Sequence, residues 1–223
     1  MREDRAGRQI GRISRGIEAP RDQRAMFTAV VYVLTSGCAW RHLPPTFGTS
    51  SATAHRRFTV WTVVGLWRRL HRAVLDELGG RGEVDWISTI VDAASVRAKK
   101  GGSLTRRNLV DRGKKGSKLH VLSDAQGIPL AVAVSGANMH DSLALKPLIL
   151  GIPAVRSRRG PRRRRPVKLR VDKAYFSAEH LNWLLERGLV ARLARLGIES
   201  GERLGRHRWK IERSIAWLLA TAA

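Results

Sequence analysis

Lys118-Leu119-His120-Val121-Leu122-Ser123, then Asp124-Ala125-Gln126-Gly127, then Ile128-Pro129-Leu130-Ala131-Val132-Ala133-Val134, reads as two apolar strands joined by a tight turn. The tetrapeptide runs from Asp to Gly, residue types that close a hairpin, so an antiparallel pair is expected over 118–134. Toward the N-terminus, Val84 to Val91 is another short apolar run and completes a three-stranded meander. In the other direction the pattern alternates. A helix is expected over 140–150, a strand over 167–171, a helix over 177–187, a strand over 189–193 and a final helix over 201–219. The order βββαβαβα belongs to an α/β fold in which helices cover a mixed sheet.

Upstream of this domain, expected to span 84–223, lies a helical segment over 24–80, preceded by a basic flexible arm at 1–23. Met26, Val30, Val33 and Leu34 recur at helical spacing and stop at Ser36-Gly37. Thr49-Ser50-Ser51 offers capping oxygens for a second helix that carries Arg56, Arg57 and Phe58. A third presents Leu66, Leu70, Val74 and Leu78 on one face and closes at Gly79-Gly80. Three short helices with the proline turn Leu43-Pro44-Pro45 resemble a helix-turn-helix module, with Arg56 and Arg57 as candidate DNA contacts. A plain helical bundle with solvated arginines fits the spacing equally.

The chain has 223 residues, 42 Lys and Arg against 18 Asp and Glu, and a net charge of +24. Self-repulsion of that size points to a polyanionic partner, nucleic acid first, although a ribosomal or membrane-surface protein has a similar balance. Seven arginines fall within 156–165, the run Arg156-Ser157-Arg158-Arg159-Gly160-Pro161-Arg162-Arg163-Arg164-Arg165. Such a loop cannot join a core, and Arg162, Arg163, Arg164 and Arg165 are expected to grip phosphates rather than merely face water. The single Cys38 excludes an internal disulfide and a cysteine zinc cluster and fits a reducing compartment, so a cytoplasmic, nucleoid-associated protein is expected. The apolar stretch 25–40 is shorter than the roughly 20 residues of a bilayer span, so no membrane partner is expected.

Among so few acids, three stand where chemistry is favoured. Asp92 and Asp172 each follow an apolar strand, and Glu212 lies beside the stripe Ile211, Ile215 and Leu218 of the last helix. Singly, each has an ordinary role as a turn-former, a cap or an ion-pair partner of Arg208. Together they supply hard oxygen ligands for Mg²⁺ or Mn²⁺, and two such ions about 3.5–4 Å apart can serve both sides of a phosphodiester exchange. His140 and Asp141 form a nearby pair, with Asp141 expected to cap a helix, and His120 is expected to be structural. Trp217 is expected in the core, whereas Trp209 is left between the core and a base-stacking role.

The strand order and the three acids resemble the ribonuclease H-like core of Asp-Asp-Glu transposases. Five blocks, Ile90–Val96, Gly116–His120, Ala137–Ser142, Val171–Tyr175 and Arg208–Leu218, are similar to successive blocks of bacterial insertion-sequence transposases of the insertion-sequence-five type. Gly37-Cys38-Ala39-Trp40-Arg41-His42-Leu43-Pro44 resembles their N-terminal helical domain. The resemblance implies that Asp92, Asp172 and Glu212 hold divalent metal, that water cleaves at the transposon end, and that the freed 3′-hydroxyl attacks target DNA. It also implies that Arg208 grips a phosphate, with terminal inverted repeats and target duplex as partners and a homodimer as the active form. The tyrosine and lysine of the fuller signature are replaced by Gly205 and Leu219, and the chain ends 11 residues after Glu212. A shortened copy that binds metal but transfers strands poorly is therefore one expectation, and a non-catalytic repressor of its own element is the alternative.

Overall fold

The structure, a computed structural model, describes residues 22–98, 102–109, 111–171, 175, 177–193 and 201–220, without the side chains of 192–193, 201–208 and 220. It forms two compact units, one ending at Val64 and the other beginning at Gly65. In the first, α1 (Gln23–Ser36) starts at Asp22, whose carboxylate accepts the Ala25 N–H at 3.0 Å. It ends at Gly37, whose φ of 65° lets its N–H reach the Val33 carbonyl. Two single 3₁₀ turns, Trp40–His42 and Pro45–Phe47, lead to α2 (Ser51–Val63), capped by Ser50. Ala29, Val30, Val33 and Ala54 are buried between the helices, and Trp40 packs edge-on to His55 and against Phe58. These two helices match the sequence expectation.

The third helix, α3 (Leu66–Arg81), belongs with the sheet unit and not with the helical segment expected over 24–80. Its buried line is Leu75 and Gly79, with Leu78 partly covered, whereas Leu70 and Val74 are 38% and 49% exposed. The expected stripe is thus rotated, and the helix continues through Gly79-Gly80 to stop at Gly82. The cause is a close approach, since at Gly79 the backbone of α3 lies against the Arg156 carbonyl. Asp76 fixes the same contact by accepting the Arg156 N–H at 2.8 Å and Arg162 Nη1 at 2.7 Å. Desolvation works against the ionised Asp76 carboxylate, but the bonds from Arg162 and from the Arg156 N–H outweigh it and hold its pKa below the ordinary value.

The sheet contains β1 (Ser88–Arg97), β2 (Arg106–Arg107), β3 (Lys115–Asp124), β4 (Pro129–Gly136), β5 (Lys168–Val171) and β6 (Val190–Leu193). Its order is β4-β3-β1-β5-β6, with β2 pairing the first residues of β3. β1, β3 and β4 are antiparallel, and β5 and β6 are parallel to β1. Three antiparallel strands followed by two parallel ones, with helices on the faces, is the ribonuclease H-like mixed sheet that the resemblance implies. Two boundaries differ from expectation. β1 begins at Ser88, not Val84, and extends to Arg97, because β3 supplies a partner for every residue of its polar second half. The region 140–150 is a 3₁₀ turn, Asp141–Ala144, followed by the short α4 (Leu145–Leu150). β2 had no counterpart in the sequence reading, since two exposed arginines carry no strand period.

The hairpin between β3 and β4 turns where expected. Gly127 has φ 93°, and the buried Asp124 carboxylate accepts the N–H groups of Gln126, Ile128 and Asp85. One sheet face packs Val91, Leu122, Leu169 and Val171 against Leu75 of α3, Leu145 and Leu148 of α4, and Leu184 of α5 (Ala178–Leu185). The other packs Ile90 and Val121 against Ile211 and Ile215 of α6 (Gly201–Ala220). That helix is keyed to the hairpin turn: Lys210 Nζ, Arg213 Nη2 and Ser214 Oγ donate to the carbonyls of Ala125, Gln126 and Gly127.

Candidate active site

Asp92 lies in the middle of β1, not at the end of a strand. Among the described residues, the parallel ladder between β1 and β5 runs to the pair Val91 and Val171, immediately before Asp92. Asp92 is half-buried and its Oδ1 accepts the Ala93 N–H at 2.8 Å. In an antiparallel pair, residues directly opposite share a face, and Asp92 is opposite Val121. Val121 is buried against α6, so Asp92 belongs to the sheet face that this helix covers.

α6 carries Glu212, one residue beyond the fully buried Ile211. At about 100° per residue, Glu212 is turned about 100° from Ile211 and sits on the flank of the helix, where it is exposed. Two of the three acids are therefore on facing elements of one layer. Asp172, the residue after Val171, lies outside the described residues, as does the Arg208 side chain. Among the described residues no group of three or more His, Cys, Asp or Glu side chains is arranged to hold a metal ion. The donor chemistry of Asp92 and Glu212, carboxylate oxygen alone, fits a hard divalent cation.

The other motif blocks meet on the opposite sheet face. Lys118 of β3 donates to Asp141 Oδ1 at 2.9 Å and to the Met139 carbonyl at 2.8 Å, tying two of the blocks together. Asp141 is thus an ion-pair partner and not the expected cap, a role taken by His140, whose Nδ1 accepts the Ser142 N–H. His120 is fully buried, with Nε2 2.7 Å from Ser135 Oγ, in keeping with a structural role. Burial pushes its pKa down, Lys118 acts in the same direction, and Asp141 opposes them. Between its ordinary value of about 6.5 and its lowered folded value, the unfolded chain binds a proton that the folded chain refuses. Stability should therefore fall as pH is lowered through that window. The urea midpoint compared at pH 7.5 and 5.5 checks this, and the drop should shrink in His120→Gln, a difference in which the opposite contribution of the buried Asp124 cancels.

The arginine positions separate into anchored and open ones. Arg162 Nη1 is bound to Asp76 and to the Ala154 carbonyl at 2.7 Å, so it braces the loop. Arg163 bridges Val155 through its backbone and leaves its side chain exposed, as are those of Arg164 and Arg165. Together with Ser157, Arg158 and Arg159, Arg163 lines a shallow concavity. On α2, Arg56 is exposed and Arg57 half-buried.

Trp217 corrects the expectation of a core residue. Trp209, Arg213 and Trp217 are spaced four residues apart on the face of α6 opposite Ile211, and the two rings are 51% and 63% exposed. The Arg213 guanidinium lies 5.0 Å from the centroid of each ring. The i, i+4, i+8 spacing carried this signal, which the sequence reading passed over for the neighbouring isoleucines.

Comparison with known proteins places these features. The family described as "Transposase DDE domain" matches residues 88–222, and "Putative transposase of IS4/5 family" matches residues 6–71. A "Putative transposase for insertion sequence element IS402" of Burkholderia cepacia is 42% identical over 118 residues, 53% of this chain and 56% of the relative. The "Insertion element IS402 uncharacterized 16.2 kDa protein" of the same organism is 37% identical over 84 residues, 37% of this chain and 57% of that one. The chain spans little more than half the length of these curated relatives. Among solved structures, the simian T-cell lymphotropic virus intasome in complex with PP2A regulatory subunit B56 gamma aligns with 86% of this chain and 65% of the matched chain, at 14% identity and a TM-score of 0.37. The Mos1 strand transfer complex aligns with 98% and 82%, at 13% identity and a TM-score of 0.32. The match over 88–222 covers more than half of the sequence and contains Asp92, Asp172 and Glu212, so the chain belongs to the transposase DDE domain family.

Proposed function

We propose that this transposase cleaves DNA at the ends of its own element and joins the freed strands to target duplex, with Asp92, Asp172 and Glu212 as the acids that hold Mg²⁺ or Mn²⁺, two ions when the site is full. The observation that carries the reading is the position of Asp92. It stands on the sheet face covered by the helix that bears Glu212, one residue beyond the pair Val91 and Val171 that joins β1 to the strand preceding Asp172. A divalent cation held by these carboxylates neutralises phosphate charge and polarises the phosphorus centre. The chain's own contribution is to fix the carboxylates on a buried strand and an anchored helix, and to hold the DNA by phosphate contacts. Arg56 and Arg57 on α2, Arg208, and the exposed Arg163, Arg164 and Arg165 are the proposed contacts, with Arg162 bracing the loop that presents the last three. Joining two ends requires both to be held at once, which makes a homodimer the proposed working unit.

The test uses duplexes taken from the DNA bordering the chain's own coding frame, against scrambled duplexes of equal length. Strand breaks at the borders that require Mg²⁺ or Mn²⁺ are expected, and equal cutting of the scrambled DNA would remove the transposase reading. Binding should weaken with salt at a slope of about −0.9 per phosphate neutralised. Replacing Arg163, Arg164 and Arg165 by Gln should make the slope of log K against log salt shallower by about 2 to 3. An unchanged slope would show that these arginines face water.

A further inference from the structure

We infer that Trp209, Arg213 and Trp217 form a stacking strip for unpaired bases next to Glu212, so that the enzyme holds a frayed or single-stranded DNA end as well as duplex. The inference rests on the DNA-processing reading above and goes beyond it to the state of the strand that is bound. Trp209 and Glu212 are three residues apart on α6 and therefore neighbours on its surface. From Trp209 the strip rises along the helix for two further rungs, about 12 Å in all, away from the buried Ile211 and Ile215. Large aromatic rings seldom remain in water to this degree on a helix whose opposite side is packed, and here two do so on one line.

What covers them is indicated by charge. Arg213 lies against both rings, and Lys210 Nζ is 5.9 Å from the Trp209 centroid. An apolar protein partner would have to desolvate these cations, whereas a single strand offers π-faces to the rings and phosphates to the cations at alternating positions. A chain with a net charge of +24 favours the same partner. Lys210 and Arg213 also donate to the carbonyls of Ala125 and Gln126, which fixes the strip to the hairpin rather than leaving it on a loose helix. Duplex DNA conceals its base faces, so the strip acts only on bases that have left the stack, at an end or a nick beside the acid.

The experiment measures binding of the full-length chain, without metal, to two duplexes of the same sequence. One is blunt; the other carries a short 3′ single-stranded extension containing 2-aminopurine. Wild type should bind the extended duplex about tenfold more tightly and quench the fluorescence by stacking. Trp209→Ala combined with Trp217→Ala should lose the preference and the quenching while blunt-duplex affinity and the urea midpoint hold. The corresponding pair of Phe substitutions should retain most of both. Wild type that binds blunt duplex but shows no preference overturns this inference and leaves the functional reading intact. Wild type that binds neither duplex overturns both. A preference that survives the double Ala substitution overturns it as well, as does a change in oligomeric mass in that variant with the preference unaltered, which would assign the strip to contact between chains.

Discussion

Asp92→Asn should leave a folded, DNA-binding protein whose Mg²⁺-dependent strand cleavage is about a thousandfold slower, a loss of ~4 kcal/mol in transition-state stabilisation. The substitution is nearly isosteric, and its amide oxygen can still accept the Ala93 N–H, so β1 has no reason to change register. What disappears is one negative charge on the sheet face that α6 covers. DNA affinity in the absence of metal should hold or rise, because a carboxylate facing phosphate repels it. Single-turnover cleavage of a border duplex reads the first effect, and filter binding the second. Glu212→Gln should match Asp92→Asn, and the double variant should be no worse than either, as expected of groups that act as one unit. Asp141→Asn is the contrast: it breaks the ion pair with Lys118 on the other sheet face and should cost cleavage far less. Equal cleavage by wild type and Asp92→Asn would remove Asp92 from the site.

The largest effect on stability is expected at Gly79. A Cβ there would lie 2.1 Å from the Arg156 carbonyl oxygen and 2.7 Å from Val155 Cγ1, distances that backbone cannot absorb without moving. Gly79→Ala should therefore force α3 away from the loop and cost about 3 kcal/mol, the upper end for overpacking, or roughly 6–12 °C in Tm for a chain of this length. Gly80 is the internal control. A Cβ at that position meets nothing closer than Arg156 Cδ at 3.6 Å, ordinary van der Waals contact, so Gly80→Ala should gain up to about 1 kcal/mol from helix propensity. Opposite signs at adjacent glycines of one helix would be difficult to obtain from propensity alone. Thermal unfolding of the two variants side by side decides the matter.

These results bear on how far the sequence could be read. The hairpin was legible because its determinants are local: Asp124 and Gly127 satisfy and bend the turn within four residues. β1 was legible only as far as its apolar half. Ala93-Ala94-Ser95-Val96-Arg97 carries no strand signal of its own and is extended because β3 pairs it, so Asp92 looked like the end of a strand when it is the middle of one. The burial of α3 was misjudged for a similar reason. Spacing singled out Leu66, Leu70, Val74 and Leu78, but the face that turns inward is chosen by a loop about 80 residues later that fits only over Gly79. The three acids are proposed from their motif blocks, and the shared layer of Asp92 and Glu212 follows from register and packing that no local pattern encodes. Arg162 was counted among the phosphate contacts on composition, since nothing near it in sequence announces Asp76 as its partner.

The anchoring of α6 has a consequence in time. The carbonyls that receive Lys210 and Ser214 belong to a turn 85 and 87 residues earlier in the chain, so the hairpin leaves the ribosome well before the helix that reads it. At 5–20 residues per second that interval is roughly 4–17 s. During it the nascent polypeptide has the antiparallel hairpin, acquires β5 and β6 only as the interval runs, and lacks Glu212 throughout, so the acids proposed to hold metal cannot assemble until translation has supplied that helix.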